Sequence, residues 1–263
     1  MVADSPPISA VLITRDAELH LDRVLRPLSV CSEIVILDSG SHDGTRDIAE
    51  RHGVVWHEHA FDGYGPQKRR AVALARNEWV LSVDGDEVLD RSGVEALRAV
   101  DWGSEDPRTC WKIQRRPFIG GREIRHGDWA PDHVVRVFNR QYHDFSEALI
   151  HESVRPTGKV RRLDGSLLHF TSADLAGIFR ADYYRLKAEM YRRNGRQAGA
   201  GLLAARAVGV FLRGYLLRLG FLDGSAGLVV ALAGAVNSSV GLALASEETP
   251  VSGQWVDESR FRS

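Results

Sequence analysis

The chain predicts an α/β fold: a mostly parallel central sheet covered by helices, followed by a helical C-terminal region. Three observations carry that expectation. Short apolar runs that read as buried strands alternate with segments of helical periodicity through the first third of the chain. Carboxylates stand at the ends of two of those runs, Asp38 and Asp84. From Ala173 onward, strand-like pieces give way to apolar stretches at helical spacing.

Ile8 to Ile13 reads as a first buried strand, and Glu18 to Leu28 as a helix whose apolar positions Leu21, Val24, Leu25 and Leu28 share a face. Glu33 to Leu37 is a second strand. The turn Ser39 to Gly44 offers Ser and Asp side chains to cap a helix from Thr45 to His52, which Gly53 then stops. Val54 to Trp56 is a short third strand. Pro66 suits the first turn of a helix over about Gln67 to Arg76, and Trp79 to Val83 is a fourth strand. Beyond Cys110 the strand-like pieces are Cys110 to Arg115, Val134 to Phe138 and Val160 to Leu168. The expected organisation is an α/β domain over residues 1–172, with a first half at about 8–100 and a second half at 101–172. A helical region over 173–247 and a flexible tail over 248–263 complete it.

The 263 residues, 44% hydrophobic and 26% charged, are enough for one large domain with an appended element. A net charge of −1 gives no general pull toward nucleic acid. The local enrichment Arg125, Arg136, Arg140, Arg155, Lys159, Arg161 and Arg162 is the one candidate basic patch. Cys31 and Cys110 lack metal-ligand spacing and suggest a reducing compartment without a disulfide framework. Met1 to Pro7 shows no secretory pattern, so the cytoplasm is expected.

Asp84-Gly85-Asp86 at the end of the fourth strand, with Glu87 behind it, is the most informative motif. Two oxygen donors separated by a small residue suit a hard divalent cation such as Mg²⁺ or Mn²⁺ bound against phosphate. In parallel sheets ligands bind outside the carboxyl ends of the strands. Thr14-Arg15-Asp16, Asp38 and the Asp84 motif all fall there, so they are expected to meet in one crevice. Between Asp223 and Glu247 no residue is charged, but glycines and Asn237-Ser238-Ser239 dilute the stretch. It suits an interfacial or part-inserted hairpin, helical core or dimer contact, or a true span. Peripheral association with the inner membrane is the expectation, with a homo-oligomer also compatible.

These residues resemble inverting glycosyltransferase family 2, and within it the branch of lipopolysaccharide-core β-1,4-glucosyltransferase-like proteins. The resemblance rests on Thr14-Arg15-Asp16, Asp38 to Thr45, Phe61 to Lys68, Trp79 to Glu87, Asp132 to Phe138, Ile150-His151-Glu152, Leu168 to Thr171 and Gly220 to Gly224. Two places depart from the branch: Thr14-Arg15-Asp16-Ala17 replaces its usual Thr-Lys-Asn-Glu, and Gly85 stands where it usually has Ala. Arg69 occupies a position that is often Asn.

The resemblance implies the GT-A nucleotide-sugar-binding fold and a UDP-sugar donor, glucose being the first candidate. The acceptor would be a glycolipid or oligosaccharide of the cell envelope, such as lipopolysaccharide core. It further implies that Thr14, Asp16 and Asp38 frame the nucleoside, with Asp38 accepting from the uracil imide. Lys68 would meet the diphosphate and Asp84 the ribose or a metal-bound water. Asp86 and His169 would hold Mn²⁺ or Mg²⁺. Glu152 would be the general base, with Glu147 and Asp132 as substitutes, and His151 competes with His169. Trp129 and Trp111 are candidates for stacking on a sugar or for core packing. A non-catalytic nucleotide-sugar-binding or scaffolding protein is the alternative. A nucleotidyltransferase is disfavoured because no Gly- and Lys-rich loop follows Ile13.

Overall fold

The computed structural model describes residues 5–147, 152–179 and 181–246, with the backbone alone at 181–183. The expected tail at 248–263, Ile150, His151 and the Tyr183 side chain lie outside the described residues.

Among the described residues nine strands form one sheet. They are β1 (Ile8–Thr14), β2 (Glu33–Asp38), β3 (Val55–Glu58), β4 (Trp79–Ser82), β5 (Glu87–Leu89), β6 (Cys110–Ile119), β7 (Arg122–Glu123), β8 (Asp132–Asn139) and β9 (Val160–Ser172). The spatial order is β3-β2-β1-β4-β8-β6-β9-β5, with β7 paired to β6. The first half, β3-β2-β1-β4, is wholly parallel, as the alternation of strands and helices requires. β8 then joins antiparallel to both β4 and β6, while β6 and β9 run parallel. The sheet is therefore mixed rather than mostly parallel. The sequence pattern did not resolve this, because periodicity reports which face a residue lies on and not the direction of its neighbour.

Helices α1 (Glu18–Leu28), α2 (Thr45–Arg51) and α4 (Arg91–Ala99) pack on one face, and α3 (Tyr64–Leu74) on the other. Alternation along β1 explains the two layers: Ala10 and Leu12 enter the first core, Val11 the second. Leu21, Val24, Leu25 and Leu28 are completely buried, each worth about 1.5–3 kcal/mol of transfer free energy. Gly53, at φ +65°, stops α2 as expected. The turn before α2 does more than expected. Asp43 accepts from the backbone N–H of Glu18 at 3.0 Å, and Thr45 Oγ1 accepts from that of Ala17 at 2.8 Å. The turn thus caps α1, a helix distant in sequence.

The C-terminal region contains α5 (Ala181–Arg193), α6 (Ala200–Leu212), a π-turn (Arg213–Leu217), a 3₁₀ turn (Gly220–Asp223) and α7 (Gly224–Ser246). α7 lays Ala226, Val230 and Ala233 on Ile119 and Ile124 at the far end of β6 and β7. Asp223 is the polar anchor of that docking. Its buried carboxylate accepts from the backbone N–H groups of Arg125 and His126 at 2.9 and 2.8 Å, and pairs with His126 Nδ1 at 3.0 Å. Gly227 lets the chain double back here: a Cβ on it would stand 1.8 Å from the Gly220 carbonyl oxygen.

Asp223→Ala strands two backbone donors, and the expected cost is about 2 kcal/mol, or roughly 4–8 °C in Tm. Thermal unfolding of the variant beside Gly227→Ala, which should also fall, checks the docking; unchanged Tm in both would refute it.

Candidate active site

The crevice at the carboxyl ends of β1, β2 and β4 is built from the turn upward. Asp38 closes β2 and is buried. Its Oδ1 accepts from the backbone N–H groups of Gly40 and Ser41 at 2.8 and 2.7 Å, and Oδ2 from the hydroxyls of Thr14 and Ser41 at 2.7 and 2.6 Å. Four bonds occupy about the full capacity of a carboxylate. In this arrangement Asp38 shapes the turn, and any base must meet the edge of that turn. Asp16 takes a left-handed φ of +48°, a conformation Asp tolerates better than most residues. Its Oδ1 accepts from the His42 N–H, while its own N–H donates to Ser41 Oγ. Thr14, Asp16 and Asp38 therefore order one loop together.

Lys68 on α3 is almost entirely enclosed, with Nζ 2.7 Å from both Asp84 Oδ1 and Glu152 Oε1. Arg136 on β8, equally buried, donates to Asp84 Oδ2 at 2.8 Å and to the fully buried Glu87. Both oxygens of Asp84 thus face cations. Burial alone would raise the Asp84 carboxyl, but Arg136 and Lys68 overcome it and hold the group far below the usual carboxylate range. Burial likewise works against the Lys68 ammonium, and Asp84 and Glu152 keep it above its ordinary value. A lysine so placed is a link between the Asp84 motif and Glu152 rather than a free cation waiting for phosphate.

Asp86 points the other way. Its side chain is 39% exposed, and Oδ2 lies 3.3 Å from His169 Nε2. Backbone register sets this pair, because Glu87 pairs with His169 across β5 and β9 and the Phe170 N–H donates to the Asp86 carbonyl at 2.9 Å. Among the described residues no three His, Cys, Asp or Glu side chains gather as a metal cage. One carboxylate and one imidazole, open on the remaining sides, nevertheless suit a cation that completes its shell with water and phosphate oxygens, as Mg²⁺ does.

All eight expected residues, Thr14, Asp16, Asp38, Lys68, Asp84, Asp86, Glu152 and His169, line this end of the sheet. Neither substitute for Glu152 contacts Lys68 or Asp84, although Asp132 is linked to Glu87 through Arg115, which lies 3.5 Å from that carboxylate. Glu147 is 82% exposed and pairs with Arg69, and Asp132 pairs with Arg115. No role in the site is read from the sequence for Arg136 or Glu87, which pair with each other and, through Arg136, with Asp84. Arg136 was grouped with a surface patch, yet it lies among Val134, Val135, Val137 and Phe138; a charge inside an apolar strand was the signal. The patch itself is corrected: its members disperse. Arg140 donates to the Asn77 carbonyl, Arg125 pairs with Glu123, and Arg161 pairs with Glu105 while lying over the Trp111 ring. Trp111 is core, and Trp129 packs beside Ile124 and Val230.

Residues 21–186 match the family described as glycosyl transferase family 2. The lipopolysaccharide core biosynthesis glycosyltransferase LpsC of Rhizobium meliloti (strain 1021) is 30% identical over 245 residues, which cover 88% of each chain. The uncharacterized glycosyltransferase RP128 of Rickettsia prowazekii (strain Madrid E) is 24% identical over 84% of this chain and 80% of its own. A glucosyl-3-phosphoglycerate synthase of Mycobacterium tuberculosis, solved with Mn²⁺ and UDP-glucose, is 23% identical over 43% of each chain at a TM-score of 0.32, a likeness that bears on no residue's role.

Arg136→Met leaves two buried carboxylates without their shared counter-charge, and a loss of about 3–5 kcal/mol is expected in chemical denaturation. The depressed Asp84 carboxyl adds a pH signature. Its contribution is complete above the ordinary Asp value of about 3.9 and fades as pH falls toward the folded value. The stability gap between wild type and Asp84→Asn should therefore hold from about pH 7 to about pH 5 and narrow only below about pH 4. A gap closing between about pH 7 and pH 5 would contradict the ion pairing.

Proposed function

The chain belongs to glycosyltransferase family 2, and from that membership we propose an inverting, metal-dependent transfer of a sugar from a UDP-sugar to a cell-envelope glycolipid. Glucose is the first candidate for the sugar, and lipopolysaccharide core for the acceptor. The observation that carries the reading is the Asp84–Lys68–Glu152 chain, which ties the acid motif of the first half to a carboxylate of the second half at 2.7 Å on either side of one ammonium. The similarity to LpsC supports the envelope acceptor. The exposed apolar helices support work at the cytoplasmic face of the inner membrane.

In this reading the acceptor oxygen bonds to the anomeric carbon as the bond from that carbon to the diphosphate oxygen breaks, and UDP leaves with the electron pair. Glu152 accepts the hydroxyl proton. One oxygen of Glu152 is held by Lys68, and the other has no hydrogen-bond partner among the described residues. Lys68 is the positioning residue, fixing the base relative to the donor. The turn ordered by Thr14, Asp16 and Asp38 frames the nucleoside. Asp86 and His169 would hold Mn²⁺ or Mg²⁺, which supplies positive charge to the departing diphosphate.

UDP release from UDP-glucose with an envelope glycolipid extract and Mn²⁺ tests the reading. Glu152→Gln should lower kcat about 10²–10⁴-fold while UDP binding persists. Asp86→Ala should lose metal-dependent UDP binding with the fold intact. Full turnover in Glu152→Gln would overturn the base assignment, and no turnover in wild type with any nucleotide sugar would favour a binding or scaffolding role.

A further inference from the structure

The helical region leaves one apolar face uncovered. α6 turns Leu203, Ala207, Val210 and Phe211 partly inward, and leaves Leu202, Ala205, Val208 and Leu212 on the opposite, exposed side. The face continues through the π-turn and the 3₁₀ turn, where Leu217 is 80% exposed and Phe221 and Leu222 about half exposed. Scattered apolar residues on a surface are ordinary; a continuous run on consecutive elements marks a contact surface.

The charges around this face identify what covers it. Between Glu189 and Asp223 the sequence holds six arginines and no acid. Arg206 and Arg213 flank the exposed side of α6, and Arg213 and Arg218 share Asp128 as their acidic partner. A second copy docked by the same face would bring cations against cations. An anionic lipid surface instead meets both features, with headgroups for the guanidinium groups and acyl chains for the leucines.

Charge and tethering argue the mode of contact. α6 and the π-turn together form a run, Ala200–Leu217, long and apolar enough to cross by length and composition, but its Arg213 is held by Asp128 of the protein body at 2.9 Å. α6 carries Arg206 mid-length and is bent at its end by the π-turn and by Leu219 at φ +58°. α7 is long and apolar enough to cross by length and composition, but it is held by the protein. Lys187 Nζ donates to the Asn237 carbonyl at 2.9 Å and Arg192 to that of Leu244 at 2.6 Å, while Asp223 anchors its start.

We propose that the face formed by α6, the π-turn and the 3₁₀ turn is a monotopic docking surface for anionic bilayers, with α6 lying in the plane of the interface and α7 retained in the fold. This deepens the membrane-surface reading above. Ile119, packed on Ala226 and Val230, lies two residues along β6 from Pro117, the register partner of His169. The helix that α6 packs on is therefore seated at the same end of β6 and β9 as His169.

Flotation of the full chain with vesicles tests the proposal. Binding to phosphatidylethanolamine–phosphatidylglycerol vesicles should exceed binding to phosphatidylcholine vesicles by about tenfold or more and weaken with salt. Leu217→Glu with Phe221→Glu should reduce the bound fraction at least about tenfold, with the circular dichroism spectrum preserved. Should that variant misfold, Leu217→Trp supplies the second reading: bromine-labelled acyl chains should quench its fluorescence above the wild-type background. Equal binding to both vesicle types, absence of added quenching, or resistance to alkaline carbonate extraction would overturn the proposal. So would a lipid-free dimer that Leu217→Glu dissociates. UDP release with a soluble acceptor fragment reports on the reaction separately, so a failure of the chemistry leaves the vesicle result readable.

Discussion

One buried ion network holds the two halves of the sheet in working relation. Asp84 comes from the end of the parallel half, Arg136 from the antiparallel strand beside it, Lys68 from the helix on one face, and Glu152 from the loop that leads to β9. Glu87 completes it with no solvent exposure. Three acids facing Lys68, Arg136 and, at 3.5 Å from Glu87, Arg115 would be costly in any unpaired arrangement. Each member therefore constrains the others, and the position of Glu152 relative to the acid motif follows from charge balance as much as from packing.

That balance separates two jobs the motif combines. Asp84 faces inward and is neutralised, whereas Asp86 faces outward beside His169. Gly85 fits between them with Thr14 and Ala17 close by, about 3.5 Å from a notional Cβ. An alanine would make ordinary contact there, which accounts physically for the interchange of Gly and Ala noted in the sequence.

The parallel first half was legible because each of its elements carries its own signal: apolar strands, the Leu21 to Leu28 stripe, Gly53 after α2 and acids at strand ends. That Thr14, Asp16, Asp38, Asp84 and Asp86 share one end of the sheet was legible because each stands at or just beyond the exit of a strand. Strand direction in the second half was not, nor were β5 and β7, short strands that owe their pairing to β9 and β6, nor the nine-residue helix α4. Arg136 was misread because sequence proximity to other arginines outweighed its apolar neighbours. Asp38 was read as a ligand for a base, and its four internal hydrogen bonds show how much of its capacity the turn consumes. The C-terminal helices announced their apolarity but not their seat on β6, since that depends on Asp223 reaching backbone donors nearly a hundred residues away.

The pairing of Glu87 with His169 across β5 and β9 has a wider consequence. The spacing of Asp86 and His169 is fixed by main-chain geometry, so it does not depend on the identity of the side chains around it. The loop ordered by Asp38 follows β2, on the opposite side of the sheet from β5 and β9, so substitutions in that loop leave the register of Asp86 and His169 untouched.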